Sequence, residues 1–558
     1  MIYPLYGVGV GLCAVLSYLN ILANDFALDD FGLLNEAVRQ GRWNFLATSD
    51  YWAGFEGLRS GLYRPLTTLL LAGEFRLWGE NPVLFHASNI VVHTANSVLV
   101  YMLVLRLGGK TVGGLAGILF AVHPIHTEAV ASLGGRADLL ASLGVLTALC
   151  LGLRARARGG WSRSAVLALG FGLLAKEGAV VLPGLIICID WYLHKIKRLA
   201  CWPWQEYALY GLVIGLWLAV RWQILGGLTI PDISRLDNPL AELAAPLRMV
   251  NAGEIALRYL WLLVLPYRLS ADYSHAALPV SDEIFSRALF ISVGLVLVLA
   301  CLLRYYIRQP GLGSLGALWI LVSFSLVSNV VMPIGTIMAE RLIYLPSVGF
   351  CLLAAVLLER MLNLGQRRLC LFICAMIALS FMGRTWDRNA DWRNSEALFN
   401  SAIAAYPRSA KAHQGLGEAL MKRGDWIGAL DEYDRALALY PRYVAAHYNT
   451  GQCYWSLEQY ARAIEAYRRV VQLVPGHAKA WLNMGAAHYA LGALEKAVGA
   501  YQQALSVQPD FAEAWENLGN AYREMGAQDQ AIAAFRELSQ RWPEHSRREE
   551  YEAWIEGL

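Results

Sequence analysis

Asp29 and Asp30 stand side by side in "ALDDFGLL", directly after the first long apolar run of the chain. A carboxylate at such an edge can accept a proton from an attacking hydroxyl. Its structural alternative is a helix cap, with Asp30 accepting backbone N–H groups at the first turn of "FGLLNEAV". Further ionisable residues recur at the ends of other apolar runs. They are Arg64 in "YRPLTT", then His123, His126, Glu128, Arg136 and Asp138 in "HPIHTEAVASLGGRAD", then Lys176 and Glu177, and finally Glu340, Arg341 and Tyr344 in "AERLIYLPS". Ionisable groups at membrane depth are paired or functional. Some of these pair among themselves: Lys176 with Glu177 or another acid, and Glu340 or Asp138 with an arginine. Gathered on one face of a bilayer, a carboxylate base and several cations suit one reaction, transfer of a group from a phosphate-linked lipid to a hydroxyl. The cations neutralise the departing phosphate while the carboxylate takes the hydroxyl proton.

The run "HPIHTE" contains three possible metal ligands. His123 precedes Pro124, however, which marks a helix boundary, and the spacing is not the His-x-x-x-His of a zinc-binding helix. No metal is therefore expected, and both histidines are read as hydrogen-bonding groups. Neither a glycine-rich phosphate loop, nor a serine nucleophile elbow, nor a Cys-His pair stands out. The nine cysteines form no CxxC knuckle and no legible disulfide framework.

These residues need elements to hold them. Of the 558 residues 56% are hydrophobic and only 16% charged, with a mean hydropathy of +0.39, a composition of an integral membrane protein. A net charge of +3 with no basic arm excludes nucleic acid as a partner. The N-terminal run lacks a basic leader and a small-x-small cleavage site, so it reads as a retained first span. Basic clusters flank the apolar runs on alternating sides: Arg106 and Lys110; Arg154, Arg156, Arg158 and Arg163; Lys195, Lys197 and Arg198; Arg304 and Arg308; Arg360, Arg367 and Arg368. Placing all five in the cytoplasm requires about eleven spans, and sets Asp29, Asp30 and the chain beyond Arg384 outside. The segment 252–269 would invert the later clusters if it crossed, so it is read as re-entrant or interfacial.

After Arg384 the texture changes. Prolines at 407, 441, 475, 509 and 543 and glycines at 417, 451, 485 and 519 recur every 34 residues. Tyr433, Tyr467, Tyr501 and Phe535 follow in phase, with Ala429, Ala463, Ala497 and Ala531 four residues before each. That is the tetratricopeptide pattern, in which small residues let paired helices approach and the aromatic fills the gap. The organisation expected is all-α: a polytopic membrane domain over 1–385, a linker and half repeat over 386–409, four repeats over 410–545 and a capping helix over 546–558. The concave face of the repeats can hold an extended peptide or a partner domain.

The combination of "DD" after the first span, "YRPLT", "HPIHTEAVAS" with "GRAD", "AKEG", "AERLIYLPSVGF" and "RNADWRNSEALF" leading into repeats resembles the transmembrane O-mannosyltransferases with tetratricopeptide repeats, membrane glycosyltransferases of the GT-C fold. The likeness covers nearly the whole chain. It implies a polyprenyl-phosphate mannose donor, inverting transfer, and Ser or Thr of a protein as acceptor. It also implies that an acidic residue of the first extracytoplasmic loop is the base, a position that matches Asp30 or Asp29, with Asp30 the first choice. Arg341, Arg136, Arg64 and Lys176 match donor-phosphate contacts by position and charge, with His123, His126, Glu128, Asp138, Glu340 and Tyr344 around the pocket. No cofactor is implied beyond the lipid-linked co-substrate. The absence of an Asn-x-Ser/Thr sequon points to a bacterial or archaeal plasma membrane, with site and repeats on the outer face; in a eukaryote the membrane would be that of the endoplasmic reticulum, with the repeats lumenal. Two alternatives stay open. One is a transferase that decorates a glycolipid or cell-surface polymer; the other is a membrane-anchored repeat scaffold without catalysis.

Overall fold

A computed structural model describes residues 3–53, 60–196, 199, 202–227, 233–308, 311–364 and 367–557. Lys197, Arg198 and Cys201 lie outside the described residues. Every regular element described is helical. The chain divides into two compact units, Met1–Pro407 and Arg408–Leu558.

In the first unit six described helices are long and apolar enough to cross a membrane: Leu5–Ala23, Pro82–Gly108, Arg136–Arg156, Glu177–Lys195, Trp204–Leu225 and Arg287–Tyr305. A seventh crossing is possible only if Lys110–Val122 and Pro124–Ala131, bent by 50° at their junction, count as one. This is fewer than the eleven spans expected, for reasons of length and continuity. Arg163–Ala175 and Leu312–Ser325 are apolar but have 13 and 14 residues, about 20 Å of helix against the ~30 Å of a hydrocarbon core. Pro124 interrupts a run that reads as continuous in the sequence. The ambiguous segment 252–269 folds largely into Ala245–Val264, which carries Arg248, Glu254 and Arg258 and is not among the six.

Local signals set the boundaries near the site. Asn35 and Asn81 cap their helices by accepting the N–H of Val38 and Val83. Pro65, Pro82 and Pro124 sit in first turns, where no N–H is needed. Leu312–Ser325 and Ser347–Asn363 approach through Gly316 and Gly349; a methyl on Gly316 would lie 2.7 Å from the Gly349 carbonyl oxygen. Of the segment 386–409 expected as linker and half repeat, residues 386–407 belong to this first unit. Asn389 donates to the Ser17 carbonyl at 2.9 Å, Asn24 donates to the Asn389 carbonyl at 2.9 Å, and the half-repeat helix Ser395–Ala405 follows.

The second unit is a solenoid of helix pairs: Ala410–Lys422 with Trp426–Leu439, Val444–Ser456 with Tyr460–Leu473, Ala478–Ala490 with Leu494–Val507, and Ala512–Glu524 with Gln528–Arg541. Each phased glycine receives the aromatic of its own repeat: a methyl on Gly485 would lie 2.6 Å from Tyr501 Cε1. The helix Arg548–Glu556 lays Tyr551 on Phe535, ring centres 4.2 Å apart and nearly parallel.

Candidate active site

The two aspartates have different surroundings. Asp30 is fully buried at the first position of the short helix Asp30–Leu33. Its carboxylate accepts from the N–H of Ala27 at 3.2 Å, the N–H of Leu133 at 2.7 Å and the hydroxyl of Ser132 at 3.1 Å. It thus ties the first loop to the turn before Arg136, instead of capping its own helix. Burial pushes its carboxyl up to about 7, against the three hydrogen bonds that favour the anion. Asp29 occupies the cap position of the helix, but its side chain makes no cap bond. Among the described residues its half-buried carboxylate makes no hydrogen bond or ion pair, and it lies within electrostatic reach of Arg341 and Tyr51.

Three ion pairs gather with Asp29. Arg64, leading the helix Pro65–Trp78, makes a two-pronged contact with Glu177, Nη2 to Oε1 at 2.6 Å and Nε to Oε2 at 3.1 Å. Lys176 donates to both oxygens of Asp138 at 2.7 Å. Arg341 binds Glu128 twice, through its guanidinium and through its backbone N–H at 3.0 Å. The side chain of Arg341 is 29% exposed while that of Glu128 is buried, so the cation faces outward from a fixed anion. Burial works against the Arg341 charge, yet the carboxylates of Glu128, Asp138 and Asp29 hold its guanidinium above the usual value.

Tyr51 marks where these charges converge. The Arg64 guanidinium lies 5.1 Å from its ring centre, and burial pushes its phenol up to about 12 within the fields of Arg64, Asp29, Arg341 and Asp138. Its hydroxyl is buried and bonds nothing among the described residues. Arg221 adds a further charge near Glu177 and Arg64 and donates to the Gly61 carbonyl at 2.9 Å. Neither residue was singled out from the sequence. The only signal for Tyr51 was its place in a polar loop between two residues with aromatic or acidic side chains, Asp50 and Trp52.

Other candidates are engaged in hydrogen bonds of their own. All three guanidinium nitrogens of Arg136 are engaged, with Glu74 at 2.5 Å, the Phe85 carbonyl at 3.0 Å and Asn89. His123 takes the Ile125 N–H on Nδ1 and bonds the Leu263 carbonyl through Nε2 at 2.9 Å. His126 bonds the Phe120 carbonyl at 3.0 Å and Ser347 at 2.8 Å, and Tyr344 bonds His93 at 2.8 Å and Asn96 at 3.2 Å. These are the contacts of a packed polar core, and no group of three or more metal-ligating side chains occurs among the described residues. Glu340, next to Arg341, turns the other way and accepts from Ser270 N–H at 2.6 Å and Tyr273 hydroxyl at 2.8 Å, with Arg388 at 3.6 Å.

What this arrangement can do is bind an anion at Arg341 and its neighbours while Asp29 receives a proton. A family model for "Protein O-mannosyl-transferase TMTC, DUF1736" matches residues 227–300, and tetratricopeptide repeat models match within 383–545. The curated Caenorhabditis elegans protein O-mannosyl-transferase F38B6.6 is 30% identical over 420 residues, covering 73% of this chain and 59% of the relative. The chain is thus similar to the protein O-mannosyl-transferases of the TMTC family. Human protein O-mannosyl-transferase TMTC2 is 28% identical over 510 residues, covering 75% of this chain and 60% of that protein. The chain thus spans about six-tenths of the length of these two curated relatives. Among solved structures, one titled "Crystal structure of MamA protein" is similar over 29% of this chain and 87% of its own, at 23% identity and a TM-score of 0.27.

Proposed function

We propose that the protein is a membrane glycosyltransferase that moves mannose from a polyprenyl-phosphate donor to Ser or Thr hydroxyls of proteins on the extracytoplasmic face. One observation carries the reading. Of the four carboxylates gathered around Arg341, Lys176 and Arg64, three are paired to those cations, and Asp29 alone keeps its oxygens unengaged among the described residues. Asp29 is then the general base. The acceptor oxygen attacks C1 of the sugar and passes its proton to Asp29; the bond from C1 to the phosphate oxygen breaks, and that oxygen leaves with the electron pair. Arg341 is the first phosphate ligand because its charge is the most exposed of the three, with Lys176 and Arg64 behind it. Asp30 positions the loop that carries Asp29, and Arg136 supports the fold. The names of the curated relatives support a protein acceptor, and the repeats offer a surface on which to hold one.

The test is to incubate the purified protein with labelled mannosyl polyprenyl phosphate and an acceptor protein, then release the label by β-elimination, which cleaves sugars linked to Ser or Thr. Base-released mannose supports the reading. Label that enters only glycolipid would contradict the protein acceptor, and no transfer at all would contradict the enzyme.

A further inference from the structure

The residues leading into the half-repeat helix hold both sides of the charge cluster. On one side, Leu28 has a left-handed backbone, with φ of +56°, a conformation that opposes its branched side chain. It directly precedes Asp29, so its torsion sets where that carboxylate points. Its N–H donates to the Ser395 hydroxyl oxygen at 3.3 Å, and nearby the N–H of Asp25 donates to the Arg393 carbonyl at 2.9 Å. Ser395 is itself fixed at the start of Ser395–Ala405, whose first turn is capped by Asn394 accepting the Ala397 N–H. On the other side, Arg388 bonds Asp391 at 3.1 Å and the Ser401 hydroxyl at 3.3 Å, and its Nη2 lies 3.6 Å from Glu340, the residue preceding Arg341.

We infer that Ser395 and Arg388 are positioning residues, and that the strap 388–401 sets the alignment of Asp29 with Arg341. This rests on the functional reading above, in which Asp29 is the base and Arg341 the phosphate ligand. The residues preceding the two reacting groups, Leu28 and Glu340, are held by one short segment, so a shift of the half-repeat helix moves base and cation together. The Arg388–Glu340 contact is the looser of the two holds: Nε and Nη2 of Arg388 and Oε2 of Glu340, all buried, have no hydrogen-bond partner among the described residues. The first hold is the one to test, because Ser395 is only half-buried and its removal leaves the packing intact.

In the full chain, Ser395→Ala is expected to lower kcat for mannose transfer roughly tenfold, with the KM for the donor within about twofold of wild type. Amide hydrogen exchange over residues 25–34 should accelerate roughly tenfold, with residues 110–122 unchanged. Ser395→Thr keeps the hydroxyl acceptor and should restore both readouts. Unchanged exchange over 25–34 in Ser395→Ala overturns the inference whatever the rate does, and so does an unchanged kcat beside faster exchange. A wild-type chain that transfers nothing overturns the functional reading instead, and the exchange comparison still decides whether the strap holds the loop.

Discussion

Replacing Asp30 with Asn tests whether this carboxyl is held buried and raised in the fold, and the structure gives the size and sign of the effect. Burial raises the folded-state carboxyl to about 7, roughly three units above the ~3.9 of an unfolded chain. At ~1.4 kcal/mol per unit, ionising this group inside the fold costs on the order of 4 kcal/mol. Because the folded value is the higher one, the folded state binds more protons than the unfolded state between about pH 4 and pH 7. Its contribution to stability therefore falls as pH rises through that window and levels off above it. Asparagine removes this slope. It keeps an oxygen for Leu133 and Ser132 but presents an amide N–H to the Ala27 N–H, leaving that buried donor unmatched at about 1–3 kcal/mol regardless of pH. The Asn variant should therefore unfold at lower temperature than wild type near pH 4.5, and the deficit should shrink or reverse by pH 8. The assay is thermal unfolding of both proteins in one detergent across that range. A difference that stays constant with pH would refute the assignment of Asp30 as a buried, raised carboxyl.

Arg341→Gln removes the partly exposed cation within electrostatic reach of Asp29 and should reduce kcat about 10²- to 10³-fold, as loss of one preorganised charge does elsewhere, measured by steady-state transfer with donor in excess; wild-type kcat in this variant would remove Arg341 from the proposed phosphate site. Gly485→Ala puts a methyl 2.6 Å from Tyr501 Cε1 and should destabilise that repeat by about 1–3 kcal/mol, read as faster amide exchange in residues 478–507, with no change in residues 25–34.

The repeats were legible because their constraint is local and periodic: a glycine facing an aromatic 16 residues later leaves the same mark four times. The membrane unit was less so. An apolar run states that a segment is buried, but not that its helix is long enough to cross, and Leu312–Ser325 and the bend at Pro124 inflated the span count. Charge type and clustering singled out Arg64, Lys176 and Arg341, and the structure pairs them with Glu177, Asp138 and Glu128, themselves among the candidates. Arg136 looked equivalent, because its partners Glu74 and Asn89 lie 62 and 47 residues away in sequence and neither belonged to a motif. Asp29 and Asp30 could not be told apart without backbone torsions. After the left-handed Leu28, Asp30 meets Leu133 inside the fold while Asp29 stays within electrostatic reach of Arg341. "RNADWRNSEALF" contributed to the resemblance, but the role of Ser395 depends on its meeting Leu28 across 367 residues.

The most direct test of the central claim is mannose transfer from polyprenyl phosphate into protein, measured for wild type and Asp29→Asn at matched thermal stability. With Asp29 as base, the variant should lose transfer by about 10²- to 10⁴-fold, the usual range for removing a general base, while donor binding stays within about twofold. An Asp29→Asn protein that transfers mannose at the wild-type rate would contradict the account and return the search for the base to Asp30 and the paired carboxylates.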